Sequence, residues 1–276
     1  MKYLLIVLMT GFTQLQAAFL INVEFYDTTD TYSDANGDTQ NYQDISGYES
    51  YFQAAADYWN NIIVDYNSID SWDDEAPTGF TLYAGIGNVD GVDGILAGAG
   101  VEAVTYGYLT SGQPYTYATA GYSTVDSTDL SSMIADGSLQ STINHELAHA
   151  LGFGTLWEYN YDLWTGDELY VEGSGEYIGI NALYAYQQAG NLEATYIPVE
   201  LGGGSGTADG HWDESIFGAE LMTGYANLDE YLDEITIQSF ADLGYIVNSS
   251  IVPEPTSLLL LILGGVTFAL QRRRKS

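Results

Sequence analysis

The feature that most constrains this chain is the sequence HELAHALGFG at residues 145–154. Its two histidines, His145 and His149, are four residues apart, and a helix of 3.6 residues per turn brings positions i and i+4 onto one face. Glu146 follows the first histidine directly. A helix with this pattern can hold Zn²⁺ with two imidazoles while the carboxylate reaches the metal-bound water. The stretch therefore predicts a zinc-binding helix over residues 139–151.

A hydrolytic zinc site needs three protein ligands and one open position. The chain contains three histidines, so His211 is the imidazole left once the helix has supplied two. A compact form of the motif would place the third histidine at position 155, where this chain has Thr155, a poor ligand. Two interpretations stay open from the residues alone. Either His211 is the third ligand, or a glutamate such as Glu168 or Glu172 takes that place.

The hydrophobic pattern predicts a single α+β domain over residues 19–248. Alternating apolar residues favour strands, and apolar residues at a spacing of 3.6 favour helices. Strands are expected at residues 19–26, 80–86, 101–109 and 115–124, and helices at residues 47–66, 126–135, 139–151, 181–189 and 232–243, after which residues 245–247 close the domain. The glycine-rich residues 85–100 contain neither a phosphate-binding loop nor a dinucleotide-binding pattern, and we interpret them as turns.

Charge and cysteine content narrow the classes of function. The chain has 38 acidic and 5 basic residues, a net charge of −33, and no cysteine. A disulfide framework, a thiol nucleophile and a cysteine-ligated zinc site are therefore excluded. The basic residues all lie near the two ends: Lys2, Arg272, Arg273, Arg274 and Lys275. A domain without lysine or arginine is a poor partner for nucleic acid and for anionic membrane surfaces.

The acidic residues 27–44 are predicted to form a loop that contains the run Asp34-Ala35-Asn36-Gly37-Asp38. This run superficially resembles a calcium-binding loop. Its glycine is misplaced, however, and no closing glutamate follows at the required spacing. Ca²⁺ is a possible second ion on these grounds, and a solvated loop is the favoured interpretation.

The two ends of the chain predict export. Residues 1–18 combine Lys2, an apolar run and small residues at the end, the pattern of a secretory signal peptide. Residues 249–276 contain the motif Pro253-Glu254-Pro255, an apolar stretch at 258–270 and the terminal arginine cluster. That apolar stretch is short for a membrane span, and the basic cluster behind it favours a cytoplasmic end with the domain outside.

These tail residues resemble the PEP-CTERM sorting tail of Gram-negative bacteria. The resemblance implies processing by a membrane-bound exosortase and a location at the cell surface or in the extracellular matrix. Contact with the membrane is then expected only through the C-terminal segment before processing. The alternative is a plain single-pass anchor.

The passage from Gly210 to Tyr225, taken with HELAHALGFGTLW, resembles the leishmanolysin-like branch of the metzincin metallopeptidases. In that branch the third histidine follows a long insertion, and a methionine turn comes after it. The resemblance implies a metzincin-like fold, with a twisted mixed sheet, an active-site helix and a smaller, irregular C-terminal subdomain. It makes His145, His149 and His211 the zinc ligands, Glu146 the general base and Met222 the methionine of the turn. Well-known members carry cysteines and a pro-segment, neither of which we find here.

Together these observations predict an exported zinc endopeptidase that acts on proteins or peptides. Glu146 would take a proton from the metal-bound water and return it to the leaving amine. Because the domain has no lysine or arginine, Tyr225 is a possible oxyanion stabiliser beside the metal. The alternative is a surface or matrix protein that keeps the fold and the zinc but works by binding. The intact Glu146 argues for the enzyme.

Overall fold

The computed structural model describes residues 19–71, 77–109, 112–162, 166–204 and 206–248. The expected signal peptide (1–18) and sorting tail (249–276) lie outside these ranges. Within them, no helix is both long enough and apolar enough to cross a membrane.

The described residues form a mixed α+β fold, as expected. In chain order the elements are β1 (Ile21–Phe25), β2 (Thr31–Ser33), β3 (Thr39–Asn41), α1 (Glu49–Ile62), β4 (Ile63–Tyr66), β5 (Ser68–Ser71), β6 (Phe80–Gly87), β7 (Ala97–Leu109), β8 (Pro114–Asp126), α2 (Leu130–Asp136), α3 (Leu139–Ala150), a 3₁₀ helix (Trp157–Tyr159), β9 (Glu176–Tyr177), α4 (Ile180–Gln188), β10 (Ile197–Pro198), α5 (Glu214–Phe217), α6 (Glu234–Asp242) and β11 (Tyr245–Val247). The described chain after α3 thus consists of short helices and strands of two or three residues joined by turns and irregular segments.

The central element is a five-stranded sheet with the strand order β1-β6-β8-β7-β5. Strands β1, β6 and β8 are parallel neighbours, whereas β7 and β5 run antiparallel to their partners. Helices α1 and α3 pack against each other and against this sheet. These layers share one hydrophobic core with the segments after α3, and Trp59, Trp157, Trp212, Phe153 and Phe240 are all fully buried in it. The zinc-binding helix predicted from the sequence is α3, and it lies directly on the sheet.

Several predicted boundaries were wrong. The helix expected from residue 126 begins at Leu130, because β8 continues to Asp126. The first helix was expected to reach Tyr66, but α1 ends at Ile62 and residues 63–66 form β4. This strand pairs with β11, a partner almost two hundred residues away that no local pattern reveals. The glycine-rich segment was interpreted as turns up to residue 100, but β7 already begins at Ala97. Alternating alanine and glycine have little strand propensity of their own, so pairing with β8 determines this part of the strand.

The acidic loop after β1 also contains more structure than expected, because it includes the hairpin β2–β3. Asp34 forms the turn of this hairpin. Its carboxylate accepts hydrogen bonds from the backbone N–H groups of Asn36 and Asp38 and from the Gln40 amide. This carboxylate therefore stabilises the turn, and the possible calcium ion at this run stays a prediction.

Candidate metal centre

Helix α3 places its two histidines in the wall of a cleft. Its apolar side, with Leu139, Ile143 and Leu147, is buried in the core. Trp59 of the neighbouring helix donates an indole hydrogen bond to the Asn144 carbonyl at 2.9 Å. This contact fixes the helix directly before its first histidine. The side that carries the histidines and Glu146 lines the cleft instead.

The chain leaves α3 through two glycines that adopt left-handed backbone conformations, Gly152 (φ +118°) and Gly154 (φ +71°). A side chain at Gly154 would place its Cβ 2.5 Å from the Gly210 carbonyl oxygen. The absence of a side chain lets the segment before His211 cross directly beneath the end of the helix. Thr155 closes the helix end, because its hydroxyl donates to the His149 carbonyl at 2.7 Å.

The three histidines of the chain converge at this point. The Nε2 atoms of His145, His149 and His211 lie 3.0 Å from one another in all three pairs. Across the described ranges, these residues are the only group of three or more histidine, aspartate or glutamate side chains whose ligand atoms lie within 4.8 Å of one another. The structure thus brings His211 to the helix histidines. Glu172 lines the same cleft but is not in this group, and Glu168 belongs neither to the group nor to the cleft lining.

The other ring nitrogen of each histidine shows which tautomer is present. Nδ1 of His145 lies 2.6 Å from the Leu221 carbonyl, Nδ1 of His149 lies 2.8 Å from the Phe153 carbonyl, and Nδ1 of His211 lies 2.8 Å from the Thr207 carbonyl. A carbonyl can only accept, so each neutral imidazole carries its proton on Nδ1. Each Nε2 then presents a lone pair, and three lone pairs face one another with no proton between them.

This arrangement fits a zinc ion. The three Nε2 atoms are 3.0 Å apart, and their lone pairs repel one another unless a cation lies among them. Tetrahedral nitrogen ligands about 2.0–2.1 Å from Zn²⁺ are roughly 3.3 Å apart, close to the observed spacing. Hydrogen bonds from Nδ1 to fixed backbone carbonyls are the usual way in which proteins orient zinc-binding histidines. The three residues could therefore hold Zn²⁺ in their present positions.

Burial keeps these imidazoles neutral, the form that binds metal. It lowers the pKa of His145 to about 3, with a further contribution from His211. It also lowers the pKa of His149 well below the usual value and lowers that of His211. Desolvation is the main cause in each case, because a charged imidazolium loses its hydration in this site.

Glu146 lines the cleft beside the histidines and is only 7% exposed. Burial raises the pKa of its carboxyl to about 8. A carboxylate whose pKa lies near neutrality can both accept and return a proton, which is the property that acid–base catalysis requires. A divalent cation bound nearby would lower this pKa, because it stabilises the charged form.

After His211 the chain returns to the site at Leu221, whose carbonyl lies 2.6 Å from His145 Nδ1. Met222 is fully buried, and the Trp212 backbone N–H donates to its carbonyl at 3.0 Å. Tyr225, in contrast, is 53% exposed and lies in the wall of the cleft. Its role as an oxyanion stabiliser stays a prediction.

The cleft in front of the histidines has a volume of about 1360 Å³. Its lining is rich in carboxylates and tyrosines and, like the rest of the described chain, contains no lysine or arginine. The acidic and tyrosine residues that line it are Tyr26, Tyr32, Asp34, Tyr42, Glu102, Tyr122, Glu146, Glu158, Tyr170, Glu172, Asp209, Tyr225 and Glu230. One end of the cleft is built from the β2–β3 region, far from α3 in sequence.

The sequence did not reveal the groups that orient the ligands. These groups are the backbone carbonyls of Leu221, Phe153 and Thr207. Every residue has a carbonyl, so the sequence does not show which ones orient a histidine. The tyrosines at the far end of the cleft were also missed. The glycines of β6 were a usable signal, because a Cβ at Gly85 would lie 2.3 Å from the Tyr42 ring and a Cβ at Gly87 would lie 2.3 Å from the Tyr32 hydroxyl oxygen.

Comparison with known proteins agrees with this site. The leishmanolysin family model matches residues 116–252, slightly less than half of the chain, and this range includes all three histidines, Glu146 and Met222. A leishmanolysin homolog of Crithidia fasciculata is 33% identical over 111 residues, which cover 37% of this chain and 16% of that protein. The chain therefore spans only a small part of the length of this curated relative. Since the leishmanolysin family consists of zinc metallopeptidases, the similarity supports a metallopeptidase with a site at His145, His149 and His211.

Proposed function

We propose that this protein is an exported zinc-dependent endopeptidase of the leishmanolysin type. One observation carries the proposal: three imidazoles with their protons on Nδ1 direct their Nε2 lone pairs at one point. The sequence similarity over residues 116–252 supports the choice of peptide hydrolysis among zinc chemistries.

His145, His149 and His211 would hold the ion, and Glu146 would act as the general base. When bound, Zn²⁺ supplies Lewis-acid polarisation of the scissile carbonyl and a water of lowered pKa. Glu146 removes a proton from the attacking water and transfers it to the leaving amine. Met222 is the methionine of the turn beneath the ligands, and its role is packing. Tyr225 would donate a hydrogen bond to the oxyanion, since the described residues include no cationic side chain for this purpose.

Zinc content and peptide hydrolysis, measured on the same samples, test this proposal. We expect Glu146→Ala to keep its zinc and to lose about 10²–10⁴-fold in kcat/KM, the usual contribution of a general base. Glu158→Ala is the matched control, because Glu158 lines the cleft without belonging to the histidine cluster. This control should retain near-normal activity. Zinc bound without any hydrolysis that depends on Glu146 would instead favour a binding protein on the same fold.

The third ligand has its own test. His211→Ala should greatly reduce zinc occupancy, whereas Glu172→Ala, which removes the rival ligand in the same cleft, should leave occupancy unchanged. The reverse result would identify the glutamate as the ligand.

Export and processing of the tail complete the proposal and are supported by the sequence of the two ends. We propose that residues 1–18 are removed on secretion and that an exosortase-type enzyme processes the tail at the Pro253-Glu254-Pro255 motif. The product would lie at the cell surface or in the extracellular matrix of a Gram-negative bacterium. Mass spectrometry of the mature protein, with and without substitution of Glu254, would decide between processing and a permanent anchor.

A further inference from the structure

We propose that Glu220 is a positioning residue for the metal centre, because its buried carboxylate fixes the backbone that orients His145 and the segment that carries His211. The inference rests on the proposed function, since it assumes that the three histidines bind metal. Glu220 itself belongs neither to the group of three histidines nor to the lining of the cleft.

The carboxylate of Glu220 is 1% exposed and hydrogen-bonded at both oxygens. One oxygen accepts from the Met222 backbone N–H at 2.7 Å. The other accepts from the Asp233 backbone N–H at 3.1 Å and from the Thr236 hydroxyl at 2.7 Å. A buried carboxylate with such partners connects the turn that contains Met222 to the start of α6.

The connection to His145 runs through one peptide group. The carbonyl of Leu221 and the N–H of Met222 belong to the same planar unit and point in opposite directions. Glu220 binds the N–H side of this unit, and the carbonyl side accepts the hydrogen bond from His145 Nδ1 at 2.6 Å. The plane cannot rotate without breaking one of these two bonds, so Glu220 determines the direction of the acceptor that orients His145.

The connection to His211 runs through its neighbour, Trp212. The hydroxyl of Thr236, which donates to Glu220, also accepts from the Trp212 indole N–H at 2.8 Å. The Trp212 backbone N–H donates to the carbonyl of Met222 at 3.0 Å. The segment that carries the third ligand is thus attached to the same carboxylate by a side-chain path and by a backbone path.

Glu220→Gln perturbs this network in a defined way. One carboxylate oxygen faces two donors and the other faces the Met222 N–H alone. The amide oxygen of glutamine can satisfy the two donors, but its NH₂ group then faces the N–H of Met222. Two donors in contact leave a buried N–H without a partner, which is unfavourable and favours rotation of the peptide plane.

Asp242→Asn is a matched control, because Asp242 is also a buried acidic residue near α6 with several hydrogen bonds. It accepts from the backbone N–H groups of Asn181 and Ala182, from the Asn181 amide and from the Tyr177 hydroxyl. Burial raises the pKa of both Glu220 and Asp242 to about 7. The hydrogen bonds of Asp242 hold the start of α4, however, and include no group that orients a histidine.

In the experiment the metal-free proteins are titrated with Co²⁺, and the visible absorption of the bound ion is recorded because it depends on ligand geometry. Zn²⁺ competition then gives relative affinities. We expect wild type and Asp242→Asn to share one spectrum, and Glu220→Gln to show an altered spectrum with metal affinity about 10–100-fold lower, the usual effect of losing an outer hydrogen bond at a metal site. A general loss of stability would affect both variants alike.

The outcomes separate the inference from the proposed function. If wild type binds no Co²⁺, the metal site itself is refuted. If wild type binds Co²⁺ and Glu220→Gln matches Asp242→Asn in spectrum and affinity, the positioning role is refuted. If Glu220→Gln does not fold, Thr236→Val and Thr236→Ser replace it. Loss of the hydroxyl should weaken binding and serine should restore it, whereas equal affinities would refute the role.

Discussion

Gly121 in β8 offers a direct test of how the sheet positions the zinc-binding helix. A Cβ at this position would lie 2.7 Å from the Ala150 Cβ, 2.8 Å from the Ala150 carbonyl oxygen and 2.9 Å from the Gly100 carbonyl oxygen. Ala150 is the last residue of α3 and follows His149 directly. Gly121→Ala would therefore insert a methyl group between the sheet and the end of the helix that carries a ligand.

The magnitude of the effect follows from these distances. Carbon atoms in contact are normally about 3.5–4.0 Å apart, so the helix end must move away by roughly 0.8 Å or more. Two of the three atoms belong to the backbone, so a change of rotamer cannot relieve the overlap. Overpacking of this kind costs about 1–3 kcal/mol. For a domain of this size, each kcal/mol lowers Tm by roughly 2–4 °C, which gives a decrease of about 2–12 °C.

The assay is calorimetric unfolding of the metal-free and zinc-loaded proteins, together with zinc occupancy. Gly98→Ala is the matched control, because Gly98 lies on the neighbouring strand β7 and a Cβ there would meet no atom within 4 Å. The control should be neutral or slightly stabilised, since alanine restricts the unfolded chain. Gly121→Ala should unfold at lower temperature and bind zinc more weakly. If it matched Gly98→Ala in both respects, the close contact between β8 and α3 would not set the position of His149.

Three further predictions follow from charge. Because the described domain has no lysine or arginine to balance its carboxylates, Tm should rise with NaCl from about 0.01 M to about 1 M, over which the Debye length falls from roughly 30 to 3 Å; a salt-independent Tm would contradict this. Of two peptides that differ only by Lys or Glu, the lysine peptide should be hydrolysed with the higher kcat/KM at low salt, and equal rates would show that the acidic cleft does not select by charge. Burial raises the pKa of the Asp242 carboxyl to about 7, whereas its pKa in the unfolded chain is about 3.9. Between these two pH values the protein takes up a proton when it folds, so this group stabilises the fold at low pH and its contribution is lost as the pH rises through 7. The advantage of wild type over Asp242→Asn in free energy of unfolding should therefore grow as pH is lowered from about 7 to about 4; parallel pH profiles would refute the shift.

The burial of Glu146 also bears on the alternative function, a protein that binds without catalysis. A protein that only binds would need the three histidines for the metal, but it would not need a buried glutamate beside them. The 7% exposure of Glu146 and its raised pKa are costly features for a carboxyl group in a merely structural site. Comparing Glu146→Ala with wild type in zinc content as well as in hydrolysis therefore distinguishes the two functions.

The sequence by itself predicted the chemistry of the centre. The spacing of His145 and His149 specifies a common helix face, because helix geometry is local and depends only on residue separation. The count of histidines left His211 as the remaining imidazole, and the structure confirms that it joins the other two. The main helices and strands, and the mixed α+β class, were also predictable from hydrophobic periodicity.

Only the tertiary structure decided how the three imidazoles are held. The approach of His211 to the helix histidines depends on a chain crossing beneath Gly154, and the direction of each ring depends on carbonyls up to 76 residues away. The strand at Ala97 and the strand after α1 likewise form because of partners distant in the chain. Hydrogen bonds between backbone groups far apart in the chain do not depend on residue type, so they produce no periodic pattern in the sequence. The type of side chain at the candidate site could therefore be predicted from the sequence, whereas the geometry that brings the three imidazoles to one point could not.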